Sequence, residues 1–146
     1  LYFQTYKNHT LCMCFICMCA KTDEEVRSWY ISQAMDCNKE HPVSQEEITM
    51  LQKHKLPESK NAKCLLACVF KKANFLDDKG MFDQASATAK SAKDHEGNEM
   101  KVENSKKLMD ICKKVNDQEV SDGEAGCDRA VLLVKCFKEN GPGVLY

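Results

Sequence analysis

The stretch KNAKCLLACVFKKANFLDD, residues 60–78, decides which fold this sequence can adopt. It has the pattern of a helix, and it carries Cys64 and Cys68 one turn apart on the same face. Side chains four residues apart on a helix point the same way, so these two thiols are poorly placed to bond to each other. A metal site would need histidines or further thiols close by. We therefore expect each cysteine to join this helix to a different helix by a disulfide.

The first twenty residues differ in composition from the rest of the chain. Residues 1–4, LYFQ, look like the remnant of a cleavable expression tag, and residues 5–20 combine one lysine with an apolar run ending in small residues. This pattern resembles a secretory signal peptide, and the run is too short to span a membrane. Its four thiols have the Cys-x-Cys spacing of some metal sites, but only apolar residues lie between them. We expect a leader at 5–20, no metal site, and a secreted, extracellular domain at 21–146.

Six cysteines remain after the leader, at positions 37, 64, 68, 112, 127 and 136. An even number in a secreted chain indicates three disulfides. Cys127 and Cys136 share one predicted helix and would lie roughly 13 Å apart along its axis. A disulfide needs Cα atoms within about 7 Å of each other. Excluding this pair and the Cys64–Cys68 pair leaves ten of the fifteen connectivities open.

Local signals predict six helices and no sheet. Residues 22–25 (TDEE), 44–47 (SQEE) and 121–124 (SDGE) have the capping-box pattern that starts a helix, and the third of these precedes the sixth helix. The third helix should stop at DDKG, residues 77–80. No segment shows the alternation with period two that a half-buried strand requires. The sequence therefore predicts an all-α domain.

Two of the predicted helices are apolar on nearly every side. They contain CLLACVF at 64–70 and CDRAVLLVKCF at 127–137, and such helices are buried or line an apolar cavity. The other helices have polar faces and should pack around them. For the fourth helix we expect an inner face made by Phe82 and three alanines, Ala85, Ala89 and Ala92.

The cysteine spacing Cys37-x26-Cys64-x3-Cys68-x43-Cys112-x14-Cys127-x8-Cys136 resembles that of insect odorant-binding proteins of the pheromone-binding and general odorant-binding type. The x3 and x8 gaps are the most specific features of that family. DDKGMFD at 77–83 and CDRAVLLVKCFKEN at 127–140 are similar to it as well. The resemblance extends over about residues 22–146.

The resemblance implies three disulfides, Cys37–Cys68, Cys64–Cys127 and Cys112–Cys136. It also implies a six-helix, disulfide-stapled fold that encloses an apolar cavity. The expected function is that of a secreted carrier of small hydrophobic ligands such as odorants or pheromones. The alternative is a non-sensory carrier or sequestering protein for lipids, hormones or xenobiotics, because the physics of such a cavity is the same in either role.

Candidate ligand-binding residues come from the apolar helices and from the resemblance. They are Leu51, Leu66, Phe70, Phe75, Leu76, Phe82, Leu108, Leu133, Phe137 and Leu145. Met35, Met81 and Met109 are expected as adaptable fillers where they face inward. The chain ends in apolar residues after the GPG at 141–143, and we expect this tail to fold over the cavity as a lid, with Leu145 touching the ligand.

Several function classes do not fit the sequence. The net charge of −1 provides no electrostatic footprint for nucleic acid. With six cysteines used in disulfides, no thiolate nucleophile remains, and no His-Glu-x-x-His pattern is present, so we expect neither an enzyme nor a cofactor. The expected partner is a small hydrophobic ligand. A membrane receptor and a second copy of the chain are candidate partners that the sequence does not decide.

Overall fold

The computed structural model describes residues 21–53 and 55–141, so the predicted leader, the predicted tag remnant and the predicted lid with Leu145 lie outside the described residues. The described part contains six helices and no strand beyond one isolated bridge between Leu76 and Phe82. The prediction of an all-α, six-helix fold is confirmed. The helices are α1 Asp23–Cys37, α2 Gln45–Gln52, α3 Lys60–Lys72, α4 Gln84–Asp94, α5 Glu99–Cys112 and α6 Cys127–Asn140.

Two of the three predicted capping boxes form. Thr22 and Ser44 each accept a hydrogen bond from a backbone N–H in the first turn of their helix, and the glutamate three residues later binds back to the cap. The third prediction is wrong, because residues 123–125 form a short 3-10 turn and α6 begins only at Cys127. Asp122 starts α6 instead: its Oδ2 accepts hydrogen bonds from the backbone N–H groups of Cys127 and Asp128.

The predicted inner face of α4 is also wrong in part. Ala85 and Ala89 are exposed, whereas Ala87, Ser91 and Asp94 are buried. Alanine suits either face of a helix, so its spacing identified no buried side. The observed face includes a buried carboxylate, which the sequence pattern did not indicate.

Helix α3 lies at the centre of the fold and packs mainly on α6 and α1. Its two cysteines form bonds in different directions: Cys68 to Cys37 at the end of α1, and Cys64 to Cys127 at the start of α6. A third disulfide, Cys112–Cys136, joins the end of α5 to the last turns of α6. These are the three pairs that the family resemblance implies.

Gly80 and Gly126 cross at close range between the loop after α3 and the start of α6. Both have positive φ, at +72° and +74°, a conformation that L side chains rarely adopt. A Cβ on Gly80 would lie 2.9 Å from the Cα of Gly126 and 3.0 Å from the carbonyl oxygen of Glu124. Only hydrogen fits here, so the crossing fixes the loop against α6.

This crossing predicts a specific loss of stability. Gly80→Ala should lower the free energy of unfolding by about 1–2 kcal/mol for the positive φ, plus about 1–3 kcal/mol for the backbone clash. Gly123→Ala is the matched control, because Gly123 also has positive φ, +54°, but its Cβ would meet nothing within 4 Å. Urea denaturation measures both variants. Equal losses in the two would show that the crossing is not tight.

Candidate functional site

Four phenylalanines meet in the described part of the chain, where Phe75 and Phe82 are buried and Phe70 and Phe137 are half-buried. The rings of Phe70 and Phe75 stack with centroids 5.7 Å apart. Phe137 lies edge-on to both of them and to Phe82, with centroid distances of 6.4, 6.1 and 6.4 Å to Phe70, Phe75 and Phe82. Edge-to-face packing at these distances is favourable for aromatic rings. We call these four side chains the aromatic cluster.

The chain segment between α3 and α4 brings two of these rings into the cluster. Asn74, two residues after the end of α3, has a positive φ of 58°, so the chain turns back there. Asp77 then holds the following turn, because its Oδ1 accepts hydrogen bonds from the backbone N–H groups of Lys79 and Met81. The backbone N–H of Asp83 donates to the carbonyl of Phe75 at 2.9 Å, which closes the loop.

Aliphatic side chains complete the surroundings of the aromatic cluster. Of the leucines that the sequence indicated, Leu76, Leu108 and Leu133 belong to the same continuous core, and the half-buried Leu66 packs against it. Leu51 is not among them, since it packs on a second, smaller core formed by Cys37, Leu65 and Val69. Eight of the ten candidate residues are therefore brought into one core, one is placed elsewhere, and Leu145 lies outside the described residues.

The three candidate methionines have three different environments. Met109 is buried in the main core, whereas Met35 is 70% exposed and does not meet the condition of facing inward. On α1 the buried stripe passes through Tyr30 and Cys37, and Met35 lies on the outer side. Met81 is half-buried, with its sulfur 3.9 Å from a guanidinium nitrogen of Arg129.

Sequence reasoning missed Arg129, which is 4% exposed although it carries a charge. Its NH1 donates hydrogen bonds to the backbone carbonyls of Val115 and Gln118, the latter at 2.6 Å. One signal could have found it. Arg129, Leu133 and Phe137 follow each other at intervals of four residues, so they share one face of α6.

Two surface clefts lie apart from the aromatic cluster. One, of about 320 Å³, lies between the residues before α1 and the α4–α5 turn, and its lining includes Lys21, Asp23, His95 and Lys101. The other, of about 360 Å³, lies on the outer side of α1 near Met35. Charged and polar residues line most of both clefts, and neither cleft is lined by a cluster of apolar side chains.

A buried carboxylate anchors the chain before α1 to α4. The Asp94 side chain is 3% exposed and accepts hydrogen bonds from Lys21, at 2.9 Å, and from Lys90. The Lys90 ammonium also lies 4.3 Å from the centre of the Trp29 ring, a favourable cation–π arrangement. Burial raises the pKa of Asp94, but the hydrogen bonds from the two lysines outweigh it and hold the pKa below its usual range.

The described residues contain no group of three or more histidine, cysteine, aspartate or glutamate side chains placed to hold a metal ion. No helix among them is both long enough and apolar enough to cross a membrane.

A family model matches most of the chain. The PBP/GOBP family matches residues 19–140. The chain belongs to the PBP/GOBP family. General odorant-binding protein 19d of Drosophila melanogaster is 34% identical over 76 residues, which are 51% of this chain and 51% of that protein. The chain thus spans about half the length of this curated relative in the match.

Solved structures show the same fold at lower identity. Odorant-binding protein dmelOBP28a of Drosophila melanogaster has a TM-score of 0.66 at 21% identity, covering 85% of this chain and 100% of that one. Odorant-binding protein 4 of Chrysopa pallens also gives 0.66, at 18% identity, covering 86% and 97%. OBP56a from the oral disk of the blowfly Phormia regina, described as a fatty acid binding protein, gives 0.60 at 26% identity, covering 84% and 97%.

The ion pairs of Asp94 predict a pH-dependent contribution to stability. Because the folded-state pKa is lowered, this stability is fully present above the unfolded pKa, and it is lost as the pH falls through the folded value. Asp94→Asn should lower the free energy of unfolding by about 1–2 kcal/mol at neutral pH. The expected loss of stability is moderate because the Lys21 side chain is 39% exposed, so solvent screens its interaction with Asp94.

At an acid pH below the folded-state pKa of Asp94, the difference between Asp94→Asn and the parent protein should shrink, since the carboxylate is then protonated in both folded and unfolded states. Glu103→Gln is the control, because its ion pair with Lys107 is solvent-exposed and should contribute little at either pH. Thermal unfolding at the two pH values measures the difference. If the stability difference between Asp94→Asn and the parent protein is the same at low pH, the destabilisation comes from packing and not from the charge of Asp94.

Proposed function

We propose that this protein is a secreted carrier that binds small hydrophobic ligands, such as odorants or pheromones, in its apolar interior. The observation that carries the proposal is the aromatic cluster, in which four rings from α3, α6 and the segment between α3 and α4 meet away from the polar clefts. Membership of the PBP/GOBP family supports it. The predicted leader at 5–20 supports secretion, and in this proposal the protein releases the ligand chemically unchanged.

The binding energy in this proposal comes from the transfer of apolar surface out of water. Burial is worth about 25 cal/mol per Å², so a ligand that buries about 250 Å² gains roughly 6 kcal/mol before the costs of association. That gain alone corresponds to a dissociation constant of about tens of micromolar, and a ligand that buries more apolar surface binds more tightly. The ligand has to replace some ring–ring contacts of the aromatic cluster, and the aromatic rings can reorient while the three disulfides hold the helices together.

The proposed lining consists of the eight clustered candidates, Leu66, Phe70, Phe75, Leu76, Phe82, Leu108, Leu133 and Phe137. Leu145 is proposed to touch the ligand from the C-terminal tail. Leu51 belongs to the second core and is not included.

Lipid carriage is the second candidate role. The blowfly relative is described as a fatty acid binding protein and comes from an oral disk. Its 26% identity and shared fold support carriage of lipid-like ligands by this chain too. Identification of ligands extracted from native secretions, by native mass spectrometry and chromatography, separates the two roles.

Substitution within the aromatic cluster tests the proposed site. Phe137→Leu keeps an apolar side chain but removes the ring that touches the three others, so we expect several-fold weaker binding of an apolar phenylnaphthylamine dye. Met35→Ala is the control, because that side chain is 70% exposed on the outer side of α1. Fluorescence titration measures both affinities, and circular dichroism checks that both variants fold.

Two results would contradict the site. One is an unchanged dye affinity in folded Phe137→Leu, and the other is a comparable loss in Met35→Ala. Either result would indicate that the dye binds at the surface of the protein and not in its interior.

A further inference from the structure

Arg129 is a buried cation whose hydrogen-bonding capacity is only partly used. Its NH1 is occupied by the carbonyls of Val115 and Gln118, which follow α5 in the chain. Its Nε has no hydrogen-bond partner, and its NH2 contacts only the Met81 sulfur, a weak acceptor, at 3.9 Å. The two carbonyls therefore account for one of the three guanidinium nitrogens.

The charge of Arg129 is not neutralised within the described part of the chain. None of the ion pairs formed there involves Arg129. An arginine stays protonated in proteins, and a buried charge without a counter-charge is costly. The edge formed by Nε and NH2 presents two N–H groups in the fork geometry that matches the two oxygens of a carboxylate.

The position of Arg129 relates this edge to the proposed ligand site. Leu133 lies one turn further along the same face of α6, and Phe137 lies two turns further, about 6 and 12 Å along the axis. Leu133 belongs to the main core, and Phe137 packs against it within the aromatic cluster. A linear apolar chain with its head at Arg129 can therefore run over Leu133 to Phe137. Met81, whose unbranched side chain adapts readily, lies beside the head position.

We propose that Arg129 binds the carboxylate of the ligand, so that the preferred ligands are fatty-acid-like, with a linear apolar chain and an anionic head. This inference rests on the proposed function, because the chain of the ligand occupies the proposed apolar site. The bidentate pair neutralises the buried cation and gives Nε and NH2 their missing acceptors. An uncharged ligand of the same length leaves both nitrogens without a strong acceptor.

The test compares matched ligands on the unmodified protein. Dodecanoic acid, its methyl ester and dodecanol share one chain and differ in the head, and their affinities are measured at neutral pH by displacement of the phenylnaphthylamine dye. We expect the acid to bind about tenfold or more tightly than the ester and the alcohol. Equal affinities for acid and ester would overturn the role of Arg129 and leave the carrier function standing. Failure of all three to bind would overturn the carrier function itself.

A substitution tests whether the preference for the acid over the ester depends on Arg129. Arg129→Gln should bind the acid about tenfold more weakly and lose the preference over the ester, with ester affinity little changed. Arg27→Gln is the control, because Arg27, the other arginine of the chain, is exposed on α1. A preference for the acid that survives in Arg129→Gln would overturn the assignment.

Because Arg129 also holds two backbone carbonyls, its variant can lose stability, and a second measurement avoids that problem. In the unmodified protein labelled with nitrogen-15, the Arg129 Nε resonance should shift on addition of the acid and stay in place on addition of the ester. A resonance that stays in place with bound acid would overturn the proposal.

Discussion

The structure depends on the attachment of α3 by two disulfides that leave it from successive turns. Cys68 is bonded to the end of α1 and Cys64 to the start of α6, so the central helix is held between its two neighbours. A chain of this size has a modest core, and each disulfide contributes about 2–4 kcal/mol by restricting the unfolded state. The third bond, Cys112–Cys136, ties the far end of α6 to α5.

The disulfides that attach α3 also allow the interior to accept a ligand while the helices stay together. In a core held only by side-chain packing, replacing ring–ring contacts with a ligand would weaken the forces that hold the helices together. Here the backbones of α3 and α6 remain joined at Cys64–Cys127, so Phe75 and Phe137 can exchange contacts with each other for contacts with a ligand. The close crossing of Gly80 and Gly126 adds a second fixed point beside the same disulfide.

The sequence was informative where a feature has one physical solution. The cysteine spacing, through the family resemblance, indicated the three disulfides, and the capping boxes at Thr22 and Ser44 marked the starts of α1 and α2. It was less informative where a side chain suits several environments, as with the alanines of α4. The burial of Asp94 depends on Lys21, 73 residues away in the chain, and no local pattern predicts such a contact. Arg129 was missed because a single charge within an apolar run is usually solvent-exposed.

The position of a bound ligand tests the central claim most directly. A crystal structure of the protein with a bromine-labelled alkyl ligand gives that position from the anomalous signal of bromine. If the interior is the binding site, the bromine peak lies between α3 and α6, within contact of the aromatic cluster, Phe70, Phe75, Phe82 and Phe137. A single peak in the cleft lined by Lys21 and His95, or in the one beside Met35, would contradict the account.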